Sequence, residues 1–319
     1  MNLVMFKLFS ILSFAIITSI HSASAQATSV NEKINDSFTK TENKQSFVLK
    51  SKYTSHEYLI QVAVPTTDTP KDGFPVLYLL DGNAAFDSAT NIAKSVGAGA
   101  NKLGLSPVAV IAIGYPNQST FDVQKRALDY TPKASAKFQS EAKYKYGGAD
   151  QFFQFIEKEL KPEIESRINV NTKQQSLFGH SFGGLFVLHA IFTQPQSFQR
   201  YIATSPSLWF DDYMLLEKQN DWLNKRDKTK PMMLMTTVGT HEHRKNATPD
   251  LQAQQKQSHF YQNFKKQQTQ QFLYWDFRHP AEQHLTNMYA SLPKAIMLAG
   301  CQPESCTNLF DEPVQENNE

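Results

Sequence analysis

The stretch SLFGHSFGGLFVLHAIF, residues Ser176 to Phe192, is the most informative part of the sequence, because a glycine-rich turn separates two apolar runs. SLFGH has the length of a buried strand, and FGGLFVLHAIF has that of a buried helix. Residues 179 to 183 fit the pattern G-x-S-x-G, in which a serine occupies a strained turn from strand to helix. Gly179 and Gly183 are expected to leave room for that turn. The pattern predicts Ser181 as a nucleophile; a glycine-rich corner without chemistry is the alternative.

Other apolar segments predict the rest of the sheet. FPVLYLLDG (Phe74 to Gly82) and PVAVIAIGYP (Pro107 to Pro116) lack alternation, which is typical of strands covered on both faces in a parallel sheet. Ser88 to Leu103 has the length of a crossover helix between them. SFVLKS and EYLIQVAVP indicate an antiparallel hairpin, and further strands are predicted at YIATS, MMLMTTVG and QFLYWDF. The expected fold is α/β, with a mostly parallel central sheet, helices on both faces and an N-terminal antiparallel hairpin.

The composition favours one globular domain. The chain has 319 residues, and 32 Lys and Arg against 30 Asp and Glu leave a net charge of +2 without a long block of like charges. Nucleic acid is therefore not an expected partner. We place the domain at residues 46–306, after a polar, flexible segment at 26–45 and before a polar tail at 307–319.

The N-terminus has the layout of a secretory signal. Lys7 precedes an apolar stretch from Leu8 to Ile20, and the small residues Ala23, Ser24 and Ala25 follow. We expect cleavage after Ala25, a periplasmic or secreted protein, and no stable membrane insertion after cleavage.

The cysteine content fits such a destination. Cys301 and Cys306 are the two cysteines, and in an oxidising compartment they are expected to form a local disulfide. A metal site built on two thiols is the weaker interpretation, because a structural zinc site takes about four protein ligands.

A serine nucleophile needs a base, and two histidines are candidates. In folds with this motif the chain order is serine, acid, histidine, with the histidine on the segment after the last strand. His279 and His284 both follow QFLYWDF. We favour His284, because it lies farther from the strand end and can reach over the sheet, whereas His279 can pack on the strand.

The acid is expected after the strand MMLMTTVG, where Glu242 is the first carboxylate. A solvated glutamate is the alternative, with Asp250 and Glu282 as substitutes for the acid. His241, Glu242 and His243 also alternate as metal ligands can, but the sequence shows no further ligand cluster. We expect neither a metal nor a cofactor.

An ester-cleaving serine site also needs two backbone N–H groups to bind an oxyanion. One is expected from Phe182, the residue after the serine, and the other from Gly82 or Asn83 in LLDGN. Asp81 in the same segment has an alternative structural role, holding the loop through side-chain to backbone hydrogen bonds.

Several segments, taken in order, resemble one branch of the α/β-hydrolases. They are VLYLLDGNAAF, IGYP, RALDYTP, GGADQFFQFIEKELKPEI, LFGHSFGGLFVLHAIF, SPSLWF and PAEQH, and they cover roughly residues 46 to 300. The chain is similar in these segments to the esterase branch that includes esterase D and the enterobactin, salmochelin and bacillibactin esterases. The exported, salmochelin-type members that open cyclic trilactone siderophores look most similar.

The resemblance implies roles for particular residues. Ser181 would be the nucleophile, His284 in PAEQH the base, and Arg126 in RALDYTP and Trp209 in SPSLWF would lie near the substrate. Some exported relatives work without a well-placed acid, which leaves the role of Glu242 open. The structural alternatives are a buried ion pair of Arg126 with Asp129 and a core position for Trp209.

Three functions follow from these observations. The favoured one is an exported serine esterase that forms an acyl-enzyme, with a ferric siderophore as a candidate substrate. Such a ligand is anionic, and the segment from Lys143 to Tyr146 could supply cationic and aromatic groups or be only a solvated loop. The alternatives are a hydrolase of other acyl or aryl esters or thioesters, and a catalytically silent exported binding protein.

Overall fold

The computed structural model describes residues 43–242 and 250–311. The signal peptide predicted at 1–25, and most of the segments predicted at 26–45 and 307–319, lie outside the described residues. Within them, eight strands form one sheet in the order β1-β2-β4-β3-β5-β6-β7-β8. The strands are β1 (Lys44–Lys50), β2 (Glu57–Ala63), β3 (Phe74–Leu80), β4 (Ala109–Gly114), β5 (Val170–His180), β6 (Arg200–Thr204), β7 (Met232–Gly239) and β8 (Phe272–His279).

Helices connect the strands of this part of the chain. They are α1 (Gly82–Ala98), α2 (Val123–Asp129), α3 (Ala136–Ser140), α4 (Ala149–Phe155), α5 (Lys161–Arg167), α6 (Phe182–Thr193), α7 (Leu215–Lys225), α8 (Leu251–Lys266), α9 (His284–Gly300) and α10 (Pro303–Phe310). A 3-10 turn at Ala100–Leu103 precedes β4, and a π-helical stretch at Ile156–Leu160 joins α4 to α5.

The strand directions confirm the predicted fold class. β1 pairs antiparallel with β2, with Phe47 opposite Ile60, and β2 pairs antiparallel with β4. The other five pairings, from β4 through β3 to β8, are parallel. The molecule therefore has an α/β-hydrolase fold with an antiparallel hairpin at one edge, and the carboxyl ends of the parallel strands share one edge of the sheet.

Two hydrophobic clusters lie on opposite faces of the sheet, as the unbroken apolar runs predict. In β3, Val76, Tyr78 and Leu80 belong to one cluster, whereas Leu77 and Leu79 belong to the other. The first cluster packs beneath helices α4 to α8, and the second beneath α1, α9 and α10. Because successive side chains point to opposite faces, a strand covered on both sides must be apolar throughout.

The limits of the domain are wider than predicted. β1 begins at Lys44, and α10 extends to Phe310, whose ring lies 5.4 Å from that of Trp275. The Nε1–H of Trp275 donates to Asp311 at 2.8 Å. The boundaries predicted at 46 and 306 therefore exclude residues that belong to the fold. The reason is that both end segments are polar in composition and bury few side chains.

The two cysteines lie together at the start of α10. Cys301 and Cys306 are disulfide-bonded, with their Cα atoms 5.3 Å apart. The carbonyl of Cys301 also accepts a hydrogen bond from the buried Arg200 at 2.8 Å.

Of the helices in residues 43–242 and 250–311, none is long and apolar enough to cross a membrane.

Candidate active site

Ser181 lies at the turn between β5 and α6 with a left-handed backbone, φ 59° and ψ −115°. A residue other than glycine in such a conformation costs about 1–3 kcal/mol, so the surrounding structure must hold it there. The Ser181 N–H donates to the carbonyl of Thr204 at 3.0 Å, and its own carbonyl accepts from Leu185. The turn is the strained elbow that the motif predicts, and it presents the hydroxyl above the carboxyl end of β5.

Close packing explains two of the three glycines. A Cβ on Gly179 would lie 2.2 Å from the carbonyl oxygen of Gly183, and one on Gly184 would lie 2.8 Å from that of Thr204. A Cβ on Gly183, by contrast, would make only ordinary contacts, the nearest at 3.5 Å. The steric need predicted for Gly183 is therefore wrong. Gly184 meets that need instead, because the first turn of α6 packs against the end of β6.

His284 lies between Ser181 and Glu242. Its Nε2 is 3.0 Å from the Ser181 Oγ, and its Nδ1 is 2.9 Å from Oε2 of Glu242. His284 is the first residue of α9 rather than a loop residue, and about half of its side chain is exposed. Ser181, His284 and Glu242 therefore form one line of hydrogen bonds, and they occur in the predicted chain order of serine, acid and histidine.

The surroundings of Glu242 keep its carboxylate ionised. Burial raises the pKa of Glu242, but hydrogen bonds from His284, from the Ser205 hydroxyl and from the Gly239 N–H outweigh burial and lower it. Ser205 and Gly239 both donate to Oε1, each at 2.6 Å. Because Oε1 is occupied in this way, Oε2 is left to accept from His284.

The other candidates for the acid and the base have different partners. Asp250 caps α8 by accepting from the Ala253 N–H at 3.0 Å. Glu282 uses its backbone carbonyl to accept from the N–H of His241. His279 is the last residue of β8, and its Nδ1 is 2.7 Å from Oδ1 of Asn287.

Two helix N-termini face the same region and carry the predicted oxyanion donors. Phe182 is the first residue of α6, and Gly82 and Asn83 are the first two residues of α1. The N–H groups in the first turn of a helix have no partner inside that helix, so they are available to an anion. The helix begins at Gly82, six residues before the predicted start at Ser88, because Asp81 takes a left-handed turn (φ 57°) directly after β3.

Asn83 also has a structural role that the sequence did not indicate. Its side chain donates to the carbonyls of Tyr115 and Gln118 and accepts from the Tyr115 N–H at 2.7 Å. These bonds tie the start of α1 to the segment that follows β4. Its side chain is therefore fully engaged, which leaves only its backbone N–H for substrate.

Arg126 is buried, and its side chain packs behind the turn that carries Ser181. Its guanidinium donates to both carboxylate oxygens of Asp81, each at 2.9 Å, and to the carbonyl of His180 at 3.1 Å. The alternative pairing with Asp129 is wrong, because that carboxylate accepts from Tyr58 and Tyr115 instead. The loop-holding role considered for Asp81 is also wrong, since its side chain caps nothing in α1.

His180 is a residue whose part in the site was missed. Burial, reinforced by the neighbouring His284, lowers its pKa to about 4, so its ring is neutral at neutral pH. Its Nε2 lies 2.7 Å from the backbone carbonyl of His284, which can only accept, so His180 donates. The turn that carries Ser181 is therefore also bonded to the backbone of His284. A histidine beside the serine at a strand end is the signal that could have indicated this contact.

Exposed apolar side chains lie beside the neighbours of Ser181 and His284. Trp209 is 49% exposed, with its ring 5.9 Å from that of Phe182, so it is not a core residue. Leu285, next to His284 in the chain, is 51% exposed. Tyr146 packs 5.9 Å from Phe182 and brings the segment with Lys143 to the same side. Large apolar groups left in water at such a position indicate a surface that can bind an apolar ligand.

The metal alternative finds no support in the described part of the chain. His243 lies outside the described residues. Within residues 43–242 and 250–311, no group of three or more His, Cys, Asp or Glu side chains is placed to hold an ion.

The fold and this constellation define the class of α/β-hydrolase serine enzymes. A serine on a strained elbow, a histidine within hydrogen-bond distance of it and a carboxylate behind the histidine are the groups that such enzymes use. The Esterase family model, described as "Putative esterase", matches residues 51–289. The chain belongs to this family and is a carboxylic ester hydrolase.

Two relatives of this chain are siderophore esterases by name. The chain is 36% identical over 210 residues to ferri-bacillibactin esterase BesA of Bacillus subtilis, covering 64% of this chain and 72% of that protein. It is 38% identical over 182 residues to the siderophore triacetylfusarinine C esterase of Aspergillus fumigatus, covering 55% of this chain but only 60% of that protein. The crystal structure of BES protein from Bacillus cereus matches with a TM-score of 0.73 and 30% identity, covering 84% of this chain and 100% of that one.

Proposed function

We propose that the protein is an exported serine esterase that hydrolyses the ester bonds of a trilactone siderophore through an acyl-enzyme. The observation that carries the proposal is the continuous line of contacts from the Ser181 hydroxyl through His284 to Glu242 at a strained elbow. A serine hydroxyl is a weak nucleophile near neutral pH unless an adjacent base takes its proton. The geometry supports His284 as that base.

The first half of the reaction forms the acyl-enzyme. Oγ of Ser181 attacks the ester carbonyl while its proton passes to Nε2 of His284. The carbonyl oxygen becomes an oxyanion, which the N–H groups of Phe182 and of Gly82 or Asn83 bind. Glu242 accepts from Nδ1–H and stabilises the imidazolium. The tetrahedral intermediate then expels the alkoxide, which takes the proton from His284 and leaves as an alcohol.

The second half repeats these steps with water. His284 takes a proton from water, and the hydroxide attacks the acyl carbonyl. Collapse of the second intermediate returns the proton to Ser181 and releases a carboxylic acid. One ester bond and one water are consumed, so a cyclic trilactone opens to a linear product.

Two features support a siderophore as the substrate. The named relatives act on siderophore esters, and a partly aromatic molecule fits the exposed side chains of Trp209 and Leu285 and the half-buried ring of Tyr146. Lys143 and Lys145 are exposed on the segment that carries Tyr146. Their charge would attract an anionic ferric complex.

We expect kcat/KM for a cyclic catecholate trilactone to exceed that for p-nitrophenyl acetate by at least about tenfold, because only the larger substrate buries the exposed apolar surface. Product formation is followed chromatographically with ferric and with iron-free trilactone. If only the simple ester is turned over, the protein is a general esterase and the siderophore proposal fails.

Trp209→Ala provides an internal check on that comparison. We expect it to lower kcat/KM for the trilactone by about tenfold or more and to leave that for p-nitrophenyl acetate nearly unchanged. Leu103→Ala is the matched control, because Leu103 is 44% exposed and lies before β4, at the opposite edge of the sheet. An equal loss on both substrates would place Trp209 in support of the elbow instead.

Export is supported by the sequence of the first 25 residues. Expression of the whole chain in a Gram-negative host should yield a periplasmic protein whose N-terminus, determined by mass spectrometry, is Gln26. The control variant replaces Leu8 to Ile20 with polar residues and should stay in the cytoplasm uncleaved. A cytoplasmic product that retains Met1 in the unaltered chain would contradict export.

A further inference from the structure

We propose that Ser205, Asn287 and His279 form a hydrogen-bonded chain that holds the Glu242 carboxylate in place behind His284. Ser205 and Asn287 are then positioning residues for hydrolysis, although neither touches the substrate. The inference rests on the proposed function, because it gives Glu242 the task of orienting His284.

The direction of every bond in the chain follows from its charged end. An ionised carboxylate can only accept, so the Ser205 hydroxyl donates to Oε1 of Glu242 at 2.6 Å. With its proton committed, the Ser205 oxygen accepts from Nδ2–H of Asn287 at 2.7 Å. Oδ1 of Asn287 is thereby left facing Nδ1 of His279 at 2.7 Å, and His279 must donate. All three links point toward Glu242.

The members of the chain are buried and come from different elements. Ser205 follows β6, Asn287 lies in the first turn of α9 and His279 ends β8. They are 3%, 0% and 9% exposed, respectively. Within the described residues, Nε2 of His279 has no hydrogen-bond partner, whereas the side chains of Ser205 and Asn287 are paired. Paired buried polar groups favour one arrangement, because a rotated side chain would leave a donor or an acceptor unpaired. The chain therefore fixes the strand ends that meet behind the acid.

The backbone of Ser205 points to the same role. Ser205 has a left-handed φ of 44°, and its N–H donates to the carbonyl of Thr237 at 2.7 Å. The strained conformation turns the hydroxyl away from the β6 to β7 ladder and toward Oε1 of Glu242. Without this donor, Oε1 would keep only the Gly239 N–H, and the carboxylate could rotate away from His284.

A double-mutant cycle distinguishes positioning from general structural support. We expect Ser205→Ala to lower kcat by about tenfold, the usual effect of losing a hydrogen bond to a charged group, with KM changed less than about twofold. In a Glu242→Gln background the same substitution should change kcat by less than about twofold, because the group it orients is already inactive. Thermal unfolding of all variants shows which remain folded.

Ser176→Ala is the matched control, because Ser176 is a buried serine whose hydroxyl has no hydrogen-bond partner within the described residues. It should keep wild-type kcat. Asn287→Ala is a second test of the chain. It should lower kcat by the same factor in the wild-type background and should change kcat by less than about twofold in the Glu242→Gln background.

The outcomes separate this inference from the proposed function. If Glu242→Gln lowers kcat but Ser205→Ala and Asn287→Ala do not, or if their losses multiply with that of Glu242→Gln, the chain has no positioning role and the triad stands. If Glu242→Gln keeps wild-type kcat, both the triad acid and the chain behind it are overturned. Losses in the single variants that vanish in the double variants support the inference.

Discussion

Replacement of Ser181 by alanine is expected to lower kcat by about 10⁴- to 10⁶-fold, because the variant loses the atom that forms the acyl-enzyme. Binding should be largely kept, since the exposed surface of Trp209 and Leu285 and the helix N-termini remain. The steady-state rate on the best ester and the affinity for it, measured separately, test this result. A fluorophosphonate probe should add one label to the wild-type protein, at Ser181, and none to the variant.

Ser207→Ala is the matched control for this substitution. The Ser207 hydroxyl lies 3.3 Å from that of Ser181 and has the same size, but it is not within reach of His284 in the described contacts. We expect kcat to fall by less than about tenfold in this variant, with labelling of Ser181 retained. Labelling of Ser207, or more than about 1% of wild-type activity in Ser181→Ala, would refute the assignment of the nucleophile.

Glu242→Gln is expected to lower kcat by about 10²- to 10⁴-fold with little change in KM. The amide has the shape of the carboxylate but not its charge, so it cannot stabilise the imidazolium that forms on His284. His284 on one side of the side chain, and Ser205 and Gly239 on the other, all need an acceptor. The amide has only one oxygen, so its NH₂ group must face one of the two sides and the hydrogen bonds there are lost.

Glu282→Gln tests whether this loss is specific. Glu282 lies two residues before His284 and uses only its backbone in the contacts described here. The kcat of the Glu282→Gln variant, measured at saturating ester, should match that of the wild type. A wild-type rate in Glu242→Gln would instead show that the enzyme uses a serine and a histidine without an acid.

Unbroken apolar runs explain why the fold could be predicted. Strands such as β3 and β4 are covered on both faces, so every position is apolar and the pattern is visible without an alignment. The elbow could be predicted because a strained serine needs glycines around it. The error at Gly183 arose because sequence spacing does not show which glycine meets the end of β6.

The contacts behind the site could not be predicted, because they join residues far apart in the chain. Ser205 and Asn287 are separated by 82 positions and carry no motif. His180 filled a variable position of the pattern, and its contact with His284 depends on how α9 is placed. Arg126 was predicted from the resemblance, but its partner, Asp81, depends on the angle between α2 and the end of β3. Each of these contacts is determined by tertiary packing and leaves no local pattern in the sequence.

The three residues of the proposed triad follow three different strands, β5, β7 and β8. Ser181 and His284 are separated by 103 positions, and Glu242 follows a third strand. Such a site forms only when long-range contacts are complete, which is the slow part of folding for a mainly parallel sheet. No partly folded chain that lacks β7 or β8 can hold the base beside the nucleophile. Esterase activity is therefore a direct measure of the fraction of chains that have completed the whole fold, and it can be used to follow refolding.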